Sequence, residues 1–224
     1  MPGGNSGYFP FFVDIAGKSG VIVGGGKVAA RKLEKLLPFG PGLTVIAPQT
    51  EECVRAWEKS ADKDRALSCR FVERELEPAD LEGADFVIAA TDDEAQNGRI
   101  SDLCKERRIL VNVVDDKEKC TFLFPALVRE KDLTIGISTG GKSPAAASWI
   151  RKETKRALAP GIGDVIDLMG QIRPKVMGLE ASQKERKDIL ESLFLYCVER
   201  EGKVMLEELE RRLYEKNPNR NKGQ

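Results

Sequence analysis

Two patterns of apolar and polar positions follow one another along the chain. Up to about residue 115, short and nearly continuous apolar runs at 19–23, 43–47, 67–72, 85–90 and 109–114 alternate with stretches of helical period at 28–37, 51–60 and 94–106. Such alternation predicts βαβ units and a parallel sheet. Runs apolar throughout suit strands covered on both faces. Residues 62–64 read as a charged turn. After Asp116 the pattern changes: 121–128 and 133–138 read as two further strands split by the polar turn 129–132, close enough for a hairpin. From Pro144 onward the period is helical, over 145–158, 163–177, 182–199 and 204–214, with Ser182 and Glu185 spaced as a capping box. The polar tail 217–224 is expected to be disordered.

The first strand runs straight into Gly24-Gly25-Gly26-Lys27-Val28-Ala29. In this G-x-G-x-x-A spacing Gly24 permits a tight turn, Gly26 lets the backbone approach a pyrophosphate, and Ala29 lets helix pack closely on strand. The helix N-terminus adds free N–H groups and the positive end of a dipole. Strand, turn and helix come in the order a dinucleotide site requires. The acid normally found on the ribose, some 20 residues further on, is missing: the second strand ends Ile46-Ala47-Pro48-Gln49, with no acid before Glu51 and no arginine for a 2′-phosphate. By this position alone NAD and NADP both remain open.

Two further segments end strands of the same crevice. Thr91, in Ala90-Thr91-Asp92-Asp93, is placed either to face a nicotinamide or, with Asp92, to cap the following helix. Asp115 and Asp116 offer paired carboxylates for acid–base work or a solvated turn; alternation along a strand points them in different directions. Gly136-Ile137-Ser138-Thr139-Gly140-Gly141-Lys142-Ser143 formally fits the phosphate-loop pattern G-x-x-x-x-G-K-[ST]. Gly136 falls inside a predicted strand, however, and a cofactor loop is already in place upstream. The segment is read instead as a glycine turn with Lys142 at a helix N-terminus. Arg151, Lys152, Lys155 and Arg156 follow on that helix, as a seat for an anion or as a solvated basic face.

Composition narrows the chemistry. The 224 residues contain no histidine, which removes Ser-His-Asp and Cys-His catalysis and imidazole metal sites; no metal site is expected. Lys and Arg balance Asp and Glu at 36 each, so no global field favours nucleic acid or an anionic membrane. No apolar run approaches the ~20 residues that span a bilayer. Five cysteines without a CxxC pair point to reduced thiols in a cytoplasmic protein.

Taken in order, Tyr8-Phe9-Pro10-Phe11-Phe12, Val23 to Lys32 with its glycines, Ala90-Thr91-Asp92-Asp93, Asn112-Val113-Val114-Asp115, Phe122-Leu123-Phe124-Pro125 and Ser138 to Pro144 resemble the precorrin-2 dehydrogenase family, which includes the N-terminal module of siroheme synthase. The resemblance covers roughly residues 8–156. It implies an α/β fold: a Rossmann-type NAD-binding domain over 1–116, a β-containing dimerisation region over 117–149, a helical domain over 150–216, and the tail. It also implies NAD-dependent oxidation of precorrin-2 to sirohydrochlorin in siroheme biosynthesis, with Asp115 as general base. Cofactor contacts would fall at Gly24, Gly25, Gly26, Lys27, Val28, Pro48, Gln49, Thr91 and Val113. Ser138, Thr139, Gly140, Lys142, Ser143 and Arg151 would hold the tetrapyrrole, Lys142 and Arg151 through its carboxylates. Some relatives insert Fe2+ into the product through the same aspartate, and relatives are homodimers. A serine modified in some relatives is Thr139 here, and the chain stops short of a methyltransferase module, which implies a stand-alone enzyme. The alternatives are a non-catalytic NAD-binding redox sensor and, after it, a P-loop kinase.

Overall fold

A computed structural model describes residues 8–61 and 69–215; the expected charged turn at 62–64 and the tail 217–224 lie outside the described residues. The chain divides into two compact units, Met1–Phe124 and Pro125–Gln224.

In the first unit β1 (Ser19–Val23), β2 (Gly42–Ile46), β3 (Cys69–Val72), β4 (Phe86–Ala89) and β5 (Leu110–Val113) form one parallel sheet in the order β3-β2-β1-β4-β5. Helices α1 (Lys27–Leu36), α2 (Glu52–Ala61) and α3 (Glu94–Glu106) make the crossovers. The period-2 rule divides the strand side chains between two cores. Val21, Val23, Val87 and Val111 meet Ile100 and Cys104 of α3 on one face. Ile22, Val45 and Ile88 meet Ala29 and Leu33 of α1 and Val54 of α2 on the other. Both faces are therefore covered, as the unbroken apolar runs required.

The expected strand at 121–128 is corrected: pairing starts only at Ala126. Thr121 instead lies along the exposed edge of β5, where its hydroxyl accepts from Val111 N–H at 2.7 Å and its N–H donates to Val111 C=O at 2.8 Å. An edge strand with open backbone groups invites such a cover. Phe122 and Phe124 pack against the α1–α2 core, so the first unit runs past Asp116 to Phe124. Pro125 has no N–H to give a ladder, and the hairpin begins after it.

In the second unit β6 (Ala126–Glu130) and β7 (Leu133–Ile137) form an antiparallel pair with Val128 opposite Ile135. Their turn places Lys131 at φ 53°. Helix α4 (Pro144–Ala157) packs against this pair. Helices α5 (Ile162–Met177), α6 (Gln183–Glu199) and α7 (Leu206–Glu215) enclose a separate core that includes Val165, Ile172, Leu193 and Leu209. Ser182 and Glu185 form the expected reciprocal cap on α6. Among the described residues no helix is long and apolar enough to cross a membrane.

Candidate active site

Strand order reverses between β1 and β4, and ligands of open α/β sheets sit outside the carboxyl ends of the strands at that point. The three glycines after β1 have separate reasons to be glycine. Gly24 has φ +121°, and a Cβ there would meet Ala90 O at 2.3 Å; at Gly25 it would meet Gln49 O at 2.1 Å. These two let the loop slide between the ends of β4 and β2. At Gly26 the nearest atom to an added Cβ is Glu51 Oε1 at 3.5 Å, so the fold itself does not require a glycine there. Gly26 is also the N-cap of α1, where no described side chain supplies a cap and the first turn holds no acid. The N–H groups of Lys27, Val28 and Ala29 thus sit at an uncapped helix end, which fits the pyrophosphate of a dinucleotide.

Pro48 and Gln49 follow β2, exposed beside the glycine loop. Glu51 N–H donates to Gly25 C=O at 2.8 Å, which pins its carboxylate beside Gly26. By spacing this acid is the first to follow the position where a ribose acid is expected. Thr91 follows β4. Its hydroxyl donates to Asn97 Oδ1 at 2.8 Å, and Asn97 Nδ2 donates back to Thr91 C=O at 2.9 Å. The cap of α3 is Asp93, which accepts from Ala95 and Gln96 N–H, so neither Thr91 nor Asp92 performs that task. Asn97, buried to 6% exposure, is a partner of Thr91 the sequence did not signal, because a polar residue inside a helix reads as solvated.

The two carboxylates after β5 part company. Asp116 caps the short turn Lys117–Lys119, and Lys119 stands 2.7 Å from its carboxylate and holds its pKa below the ordinary range. Asp115 is exposed and lies at φ 60°, a left-handed conformation that aspartate tolerates better than most residues and that marks functional turns. Cys120 laces this turn, with Sγ 3.1 Å from Val113 N and 3.2 Å from Asp116 O. The Val113 side chain points into the core. From α1, Lys32 brings its ammonium to Asn112 Oδ1 of β5 at 3.5 Å and to 3.7 Å from the Phe124 ring centre.

The remaining predicted site residues belong to the second unit. Gly136 lies within β7, so the strand continues past the first glycine of the phosphate-loop pattern. Ser143 caps α4 by accepting from Ala146 N–H at 3.1 Å. Thr139 Oγ1 donates to Ser143 C=O and accepts from Ser143 N–H, and Ser138 Oγ accepts from Gly140 N–H. These hydroxyls shape the loop, with Gly140 and Gly141 at φ 61° and 78°. Lys142 is exposed at its tip, and Arg151 is half-buried on α4. On the same helix Lys155 pairs with Glu130 at 3.2 Å and Arg156 with Glu153 at 2.5 Å, so those two cations serve the unit itself.

A parallel sheet with a glycine turn and an uncapped helix at its switch point defines a Rossmann-type dinucleotide-binding protein. Residues 11–126 match an NAD(P)-binding family model, and the chain belongs to that family. Residues 130–156 match the model of the central region of sirohaem biosynthesis proteins. The chain is 35% identical over 187 residues to siroheme synthase of Photorhabdus laumondii, an alignment covering 84% of this chain and 38% of that protein. It is 34% identical over 187 residues to siroheme synthase of Pseudomonas fluorescens, with 84% and 39% covered. The chain therefore spans well under half the length of these curated relatives. Among solved structures, "SirC, precorrin-2 dehydrogenase" superposes with a TM-score of 0.64 at 22% identity, covering 86% of this chain and 100% of that one, a likeness of fold. The family resemblance and the α/β fold read from the motifs are borne out.

Proposed function

We propose that this chain catalyses the NAD-dependent oxidation of precorrin-2 to sirohydrochlorin. The observation that carries this reading is Asp115, a carboxylate held at φ 60° on the dinucleotide edge of the sheet, while its neighbour Asp116 is committed to Lys119. Bound NAD supplies the acceptor for the hydride that leaves the reduced macrocycle. The α1 N-terminus and Gly26 hold its pyrophosphate, and Thr91, fixed by Asn97, borders the nicotinamide side. The Glu51 carboxylate beside Gly26 favours a free ribose hydroxyl over a 2′-phosphate, hence NAD over NADP. Asp115 takes the proton released as the macrocycle is oxidised. Lys142 and Arg151 bind the carboxylates that rim the substrate.

Two extensions belong to the same reading. Fe2+ entering sirohydrochlorin displaces pyrrole protons, and Asp115 is the group to receive them. Residues 117–149 join two copies of the chain: α4 buries none of its residues and leaves Trp149 at 63% and Ile150 at 38% exposure, apolar surface that a second copy would cover. Five cysteines without a CxxC pair suit the cytoplasm.

The test is anaerobic. Purified protein, precorrin-2 and NAD are followed by visible absorption while NADH is quantified, and Fe2+ is then added to the same cuvette. Sirohydrochlorin and NADH in equal amounts are expected, with light scattering reporting the mass of a dimer. NAD binding without oxidation would instead favour a redox sensor.

A further inference from the structure

Lysines on helices normally extend the ammonium into water along an apolar stem. Lys32 does not. It is set on the helix that opens at the glycine turn, with its ammonium 3.7 Å from the Phe124 ring centre and 3.5 Å from Asn112 Oδ1. Asn112 is itself buried to 6% exposure and donates from Nδ2 to Phe122 C=O at 3.1 Å. One cation thus ties α1, β5 and the 122–124 segment together just ahead of Asp115.

That cation is kept against the interest of stability. Burial pushes the Lys32 pKa from 10.5 down to about 8, and Lys35 and Arg31 on the same helix push the same way; Cys120 and Asp115 oppose them. Between about 8 and 10.5 the unfolded chain binds more protons at this site than the folded chain. Stability therefore rises with pH through that window, and the full penalty of the buried charge applies below it. On the helix that opens at the glycine turn, a charge held at such a cost between Asn112 and Phe124 points to a functional task.

We propose that Lys32 is a positioning residue of the oxidation site, whose ammonium, by holding Asn112 against Phe124, fixes the end of β5 from which Asp115 follows. This rests on the oxidation reading above. Phe124 holds the ammonium by a cation–π contact, Asn112 carries its influence along β5, and Asp115 lies within its electrostatic reach.

The experiment compares wild type with Lys32→Met, which keeps the length of the side chain and removes the charge, and with Lys32→Gln as a second neutral variant. Three measurements are made: thermal unfolding at pH 7, the NAD dissociation constant, and the pH profile of kcat. Melting temperature is expected to stay level or rise in Lys32→Met, and NAD affinity to hold. At pH 7 kcat falls about tenfold, a part of the roughly 10²- to 10⁴-fold that a positioned proton acceptor contributes. The wild-type profile declines above about pH 8 as Lys32 loses its proton, and this limb vanishes in both variants. Active wild type with variants that melt lower but keep kcat and the alkaline limb would make Lys32 a packing residue and overturn the proposal. Wild type that binds NAD but never oxidises precorrin-2 would instead overturn the oxidation reading.

Discussion

Gly25 and Gly26 are neighbours with different duties. A methyl group at Gly25 would lie 2.1 Å from the backbone carbonyl of Gln49, an obstacle that cannot rotate aside. Gly25→Ala is expected to cost about 1–3 kcal/mol, the range of forced overpacking, seen as a lower melting temperature. A methyl group at Gly26 meets only Glu51 Oε1 at 3.5 Å. Gly26→Ala should melt as wild type does while NAD binds at least about tenfold more weakly, a loss of ~1.4 kcal/mol, measured by titration calorimetry. Unchanged NAD affinity there would move the pyrophosphate elsewhere. Asp115 makes a third case. Asparagine accepts left-handed φ as readily as aspartate, so Asp115→Asn should keep fold and NAD affinity while kcat falls by roughly 10²–10⁴; single-turnover oxidation at the wild-type rate would dismiss it as the proton acceptor.

At the scale of elements, helix ends sort structure from function. Helices α3, α4 and α6 start on side-chain caps from Asp93, Ser143 and Ser182. Helix α1 starts on Gly26 without a described cap, and there the proposed pyrophosphate would sit. Helix α3 also reaches back through Asn97 to hold the loop after β4. Asn97→Ala strips the Thr91 hydroxyl and carbonyl of that partner and should cost about 1–3 kcal/mol and weaken NAD binding. Ser182→Ala removes a cap worth about 1 kcal/mol and should leave NAD affinity alone. Chemical denaturation and NAD titration on the two variants separate these outcomes; equal effects on affinity would show that Asn97 serves stability only.

For the whole molecule, 36 basic and 36 acidic side chains cancel, so attraction of the proposed carboxylate-rimmed substrate would be a local matter. Screening shortens with salt, from a Debye length of ~10 Å at 0.1 M to ~3 Å at 1 M. KM for precorrin-2 is expected to climb several-fold across that range, and to climb less in Lys142→Ala, whose KM already starts high. A KM indifferent to salt in both proteins would remove Lys142 from substrate binding.

By itself the sequence determined the parallel sheet, its crossover helices, the hairpin after it and the glycine turn. Each is written in local terms: apolar period, helix caps, and residues that permit a special φ. The hydrophobic pattern of β1, β4 and β5 already demanded cover on both faces. Tertiary structure decided the rest. Residues 121–125 read as strand, yet they close the edge of β5 through Thr121 and stop at Pro125, because pairing depends on what lies alongside. Asp115 and Asp116 look equivalent in one dimension, and only the turn separated them, through a left-handed φ for one and Lys119 for the other. Lys32, Glu51 and Asn97 carry no signal of their own. Each acquires its place from a partner distant in sequence or beyond a turn, because burial, charge and hydrogen bonding at a crevice are properties of what the fold brings together.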